Sequence, residues 1–134
     1  MAIVTKVANH GVAWEESFGY SQAFQAGDTL YLSGQLAHDD QGNLIGEGDF
    51  PRQMEATFEN IEKLLAKFGA TRRQIVDDQV IVVNLRQHFN DVITGHKAYF
   101  GDHRPASTTV GVVELALPGQ LIEIAVTVRL DLPK

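Results

Sequence analysis

The strongest constraint in this chain is a set of apolar residues at helical spacing. Met54, Phe58, Ile61, Leu65 and Phe68 recur at intervals of three and four, so they form one stripe along a helix. Pro51 suits the first turn of that helix and Gly69 its C-terminal stop. A helix striped on one side needs a surface to lie on, and the flanking segments predict a sheet. Residues 20–26 (YSQAFQA) and 29–36 (TLYLSGQL) read as a hairpin reversing at Gly27-Asp28. The stretch 37–49 carries four acids and three glycines and reads as a surface excursion holding a short turn of strand. Ile75 to Leu85 is rich in Val and Ile and reads as a strand. A second helix fits 89–100, its apolar positions Phe89, Val92, Ile93 and Phe100 leaving Asp91 and Lys97 to water and Gly95 costing about 1 kcal/mol relative to alanine. Two more strands, 107–114 and 121–130, are joined across Leu117-Pro118-Gly119.

Strands, helix, strand, helix, strands is an α+β order, and its two helices cover only one face of a mixed sheet. The last strand shows what happens on the other face. Ile122, Ile124, Val126, Val128 and Leu130 share one side, while Leu121, Glu123, Ala125, Thr127 and Arg129 share the opposite one. That second side is small, mixed and partly apolar, a surface better matched to another subunit than to water. A homo-oligomer is therefore expected.

Composition narrows the function. The chain has 134 residues, 44% of them hydrophobic and 21% charged, which suits one globular domain spanning residues 1–134. Its 17 acids outnumber 11 Lys and Arg for a net charge of −6, and no basic cluster offsets this, so nucleic acid is not an expected partner. No run approaches the roughly 20 apolar residues of a membrane span and no signal peptide is visible, so a cytoplasmic protein without membrane attachment is expected. The absence of cysteine removes disulfides, thiol nucleophiles and thiolate metal sites. The five histidines lack metal-ligand spacing and read as solvated surface groups, and Trp14 reads as a packing anchor near the first hairpin.

Four short segments in order, Tyr20-Ser21-Gln22-Ala23, Leu32-Ser33-Gly34-Gln35, Arg104-Pro105-Ala106-Ser107-Thr108-Thr109-Val110 and Leu121-Ile122-Glu123-Ile124, resemble the RidA/YjgF superfamily. The resemblance spans nearly the whole chain and implies a chorismate-mutase-like α+β subunit, a homotrimer, and intersubunit clefts that bind small acids. It implies hydrolysis of reactive enamines and imines such as 2-aminoacrylate to a keto acid and ammonia, with no cofactor and no metal. In the family an arginine within Pro-Ala-Arg-Ser holds the substrate carboxylate, and a glutamate helps position water.

Carried over by position, the family's cleft tyrosine is Tyr20, its turn serine Ser33 and its glutamate Glu123. The arginine position holds Ser107, the cysteine two places on is Thr109, and a substrate-binding asparagine of the second helix aligns with Ile93. Exchanging a guanidinium for a hydroxyl removes charged contacts worth roughly 1.5–3 kcal/mol each, so a substrate other than the usual imino acid is expected. Arg104 is the candidate replacement, its other reading being a surface or intersubunit ion pair. The expected site is thus Glu123 as catalytic carboxylate, with Tyr20, Ser33, Arg104, Ser107 and Thr109 binding substrate. Glu123 reads equally as an acceptor for a neighbouring subunit's backbone. A non-catalytic ligand-binding or protein-interaction trimer is the alternative to a hydrolase.

Overall fold

Helix α2, Phe50–Ala66, is where the apolar stripe placed it. Asp49 caps it by accepting from the Arg52 N–H, Pro51 lies in its first turn, and Gly69, in the left-handed region at φ 64, follows its end. The computed structural model describes residues 2–134. Around α2 the order is β1 (Thr5–Ala8), α1 (Ala13–Phe18), β2 (Ala23–Ala26), β3 (Thr29–Gln35), α2, β4 (Ile75–Val83), α3 (Leu85–Phe100), β5 (Ala106–Val112) and β6 (Ile122–Arg129).

The six strands form one sheet in the order β1-β2-β3-β6-β4-β5. Only β4 and β5 run parallel, because α3 carries the chain back between them. The hairpin turns at Gly27-Asp28, with Ala26 opposite Thr29. Strand β6 fills the middle, antiparallel to β3 and β4. Its alternation decides the layering. Ile122, Ile124, Val126 and Val128 are buried in the core with Ile61, Leu64 and Leu65 of α2, whereas Glu123, Ala125, Thr127 and Arg129 are half-buried on the open face. Val7, Phe24, Tyr31 and Val110 are exposed, and the ladder register puts them on that same face.

Several readings need correction. Strand β1 and helix α1 had no clear periodic signal, being only four and six residues long. Trp14 sits on α1. Helix α3 begins at Leu85, after Asn84 takes a left-handed conformation (φ 56) that ends β4, so it starts a full turn before residue 89. Strands β5 and β6 are not neighbours, since β4 lies between them and the 113–121 segment crosses over it. The 37–49 excursion does contain a bridge, His38 to Leu44, but its first residues Ala37 and His38 are buried.

Gly95 marks where α3 lies against α2. A Cβ there would collide with Met54 Sδ, in a side chain that is itself buried. Gly95→Ala is therefore expected to lower stability by about 1 kcal/mol net, the overpacking outweighing the gain in helix propensity. Urea unfolding of the variant checks this, since a propensity effect alone has the opposite sign.

Candidate functional site

Three of the expected residues converge. Tyr20 follows α1, Ser33 lies on β3 and Glu123 on β6, and all three line one cavity of about 320 Å³ with Trp14, Phe18 and Leu117. Each is placed by a traceable local cause. Glu15 folds back to accept from the His10 and Gly11 N–H groups at 2.8 and 3.0 Å, and Gly19 ends α1 in the left-handed region, directing the chain to Tyr20. The Ser33 N–H donates to the Gln22 carbonyl at 2.8 Å and its hydroxyl to the Ser21 carbonyl at 2.7 Å. Beneath that turn Gln35 donates to Gln22 Oε1 and the Ser33 carbonyl, both at 2.9 Å, and pairs with His10 Nε2 at 2.7 Å. This buried amide network fixes the β2–β3 end of the cavity.

The 117–121 connection on the other side is held by two buried glutamines. Gln53 of α2 donates to the Gly46 and Gly119 carbonyls and accepts from the Leu121 N–H. Gln120 accepts from the Leu117 N–H and donates to the Ile122 carbonyl, with Glu123 Oε1 at 3.5 Å from its amide. Glu123 packs over the backbone of Gly34, where any Cβ would overlap its carboxylate. Burial pushes the Glu123 carboxyl above the usual carboxylate range, against the opposing pull of Gln120. Burial likewise raises the Tyr20 hydroxyl and lowers His10. A half-buried carboxyl that holds its proton more readily than usual, beside a tyrosine and a serine, is suited to exchanging protons with a bound ligand or water.

The other three expected residues are elsewhere. Arg104, Ser107 and Thr109 line a second groove, of about 470 Å³, between α3 and β5 at the sheet edge, together with Ile93, His96 and Lys97. The Ser107 hydroxyl is used internally, donating to Asp78 Oδ1 at 2.5 Å, and His96 Nε2 contacts the other oxygen of that fully buried carboxylate at 2.6 Å. Ser107 therefore lies on the helix side of the sheet, Glu123 on the open side, with β4 between their strands. One chain thus carries two recesses facing different ways.

The histidines are not the solvated set the sequence suggested. His38 is buried with its ring edge against Trp14, His88 stacks on Phe50 at 4.5 Å, and His10 and His96 hold the contacts above. Asp78 and His96 are 18 positions apart, and nothing in their local patterns marks them as partners. No cluster of three or more His, Asp or Glu suited to a metal occurs among the described residues, nor a helix long and apolar enough to cross a membrane.

Residues 12–130 match the Endoribonuclease L-PSP family. Over 107 residues the chain is 36% identical to a RutC family protein of Sulfurisphaera tokodaii, covering 80% of this chain and 84% of that one. It is 34% identical over 98 residues to the 2-iminobutanoate/2-iminopropanoate deaminase of Dermatophagoides farinae, covering 72% and 74% of the two chains. Rv2704 of Mycobacterium tuberculosis, a member of the YjgF/YER057c/UK114 family, superposes with a TM-score of 0.83 at 26% identity, over 94% of this chain and 99% of that one. The mixed sheet with helices on one face is the chorismate-mutase-like α+β fold of these neighbours.

Proposed function

This chain belongs to the Endoribonuclease L-PSP family, the RidA/YjgF superfamily, and from that membership we propose that it is a small-molecule hydrolase acting on imines or related compounds in clefts between three copies. The observation that carries the reading is the convergence of Tyr20, Ser33 and Glu123 on one cavity, with the carboxyl held in a proton-retaining environment. The bare open face, with Phe24, Tyr31 and Val110 exposed, supports assembly through the sheet. Assembly would let the Glu123 side of one copy meet the Arg104, Ser107 and Thr109 side of the next.

In the reaction, water oxygen adds to the C=N carbon as Glu123 takes up one water proton, and the C=N π pair passes to nitrogen, which receives that proton from Glu123. The resulting amino alcohol collapses, its O–H proton passing through the regenerated Glu123 carboxylate to nitrogen as C=O forms and the C–N bond breaks, so that ammonia leaves and Glu123 is again ionised. Tyr20 and Ser33 orient the ligand and the water.

The test supplies 2-iminopropanoate and a set of uncharged imines from a generating enzyme and follows ammonia release. Acceleration of at least one substrate by the purified chain is expected, and no acceleration of any overturns the hydrolase reading. Gly34→Ala should reduce that acceleration about as far as loss of the carboxylate itself, because the added methyl displaces Glu123. Full activity in this variant would show that the carboxylate's position is immaterial.

A second reading, a ligand-binding trimer without turnover, is favoured by one observation. Ser107 stands where the family has its substrate arginine, and its hydroxyl is committed to Asp78. Ligands that raise the melting temperature without being consumed would establish it.

A further inference from the structure

We propose that His96, oriented by the buried Asp78, is the group in the α3–β5 groove that takes the carboxylate of an apolar monoanionic ligand, a role that Ser107 does not fill. The inference rests on the reading of that groove as half of a ligand cleft. Asp78 is fully buried, and its two oxygens face the Ser107 hydroxyl and His96 Nε2. A carboxylate only accepts, so His96 Nε2 carries a proton and donates it. This fixes the tautomer and leaves Nδ1, which makes no hydrogen bond among the described residues, as the variable atom. In the neutral ring Nδ1 presents a lone pair that repels a ligand carboxylate. In the imidazolium it presents an N–H that donates to one, while Asp78 balances the charge.

The surroundings select the ligand class. No acidic side chain lines the groove, whereas Lys97 of α3 and Arg104 of the α3–β5 connection do, and neither has a carboxylate within ion-pair distance among the described residues. In a chain of net charge −6 this recess has cations and no acid in its lining, with the Asp78 carboxylate buried behind His96 and Ser107. Phe89, Val92 and Ile93 supply apolar walls. The titratable and charged groups around His96 are Asp78 on β4, its neighbour Lys97 on α3, and His103 and Arg104 after α3, with His103 Nε2 occupied by the Ile75 carbonyl. Ser107 on β5 contributes only its hydroxyl, already donated to Asp78.

The experiment is calorimetric binding of phenylacetate, with phenylacetamide as its uncharged counterpart, to the full chain as purified at several pH values between 5.5 and 8.5. Phenylacetate affinity is expected to be about tenfold or more higher at the acid end of that series than at the alkaline end, and phenylacetamide affinity to stay flat. His96→Gln, which still donates to Asp78, should show the weak high-pH affinity throughout. Asp78→Asn should weaken phenylacetate binding, because His96 loses the carboxylate that orients its ring. Lys97→Gln should weaken binding at every pH without removing the slope. Equal affinity for the acid and the amide, or an unchanged pH slope in His96→Gln, overturns the proposal. Imine turnover measured on the same samples separates this from the hydrolase reading. Turnover by the wild type together with an unchanged pH slope in His96→Gln rejects only the His96 role, whereas His96-dependent binding without turnover by the wild type rejects only the hydrolysis.

Discussion

Glu123→Gln is expected to lose about a hundredfold or more of the proposed imine-hydrolysing activity and to gain stability at neutral pH. The loss follows from the proposed proton uptake, for which an amide has no capacity, and general-base contributions are of this size. The gain follows from the same burial. Because burial raises the carboxyl's pKa in the fold, its ionised form is disfavoured there relative to the unfolded chain. Its stabilising contribution is complete below the unfolded carboxylate pKa and is lost as pH rises through the higher folded value. Gln at this position is never ionised and escapes that loss. The melting temperature of the variant should therefore exceed that of the wild type at pH 7, with the difference vanishing in acid where both side chains are neutral. Activity assays and melting curves on one preparation check both halves, and retained turnover would remove Glu123 from the chemistry.

Leu65→Ala is expected to cost about 3–5 kcal/mol of stability. Leu65 is fully buried within the cluster that joins α2 to the covered face of β6. Truncation removes its apolar contacts and leaves a cavity that neighbours on a helix and a sheet cannot easily close. The loss should appear as a lower midpoint in urea with little change in slope. A change below about 1 kcal/mol would mean that the α2 stripe is not the centre of the core.

Much of this architecture was legible because burial imposes periodicity. The three-and-four spacing on α2 and the strict alternation on β6 each follow from one face meeting the core, and Gly27-Asp28 marked the hairpin turn. Strand β1 and helix α1 were not legible. They are short edge elements shaped by Glu15 and Gly19, with little periodic burial to reveal them. The order of β5 and β6 was equally hidden, since strand pairing is decided by tertiary contacts and both segments are β-branched.

The site divides in the same way. Motif segments named Tyr20, Ser33 and Glu123, and the structure brings those three to one cavity. Gly34 had a local clue in its Ser-Gly-Gln turn, but its steric role needs β6 laid across it. Asp78 sits in a Val- and Ile-rich strand and His96 in a helix, and their contact is a product of the β4–α3 crossover that no local pattern encodes. Gly95 looked like a helix defect until its contact with Met54 gave it a packing reason.

The proposed hydrolase joins the Glu123 cavity of one copy to the α3–β5 groove of the next, which a single copy holds apart, and sedimentation equilibrium of the purified chain at micromolar concentration tests this most directly. A species of three times the 14.7 kDa chain mass is the predicted result. A stable monomer would leave Glu123 and the α3–β5 groove permanently separate and contradict a cleft shared between copies.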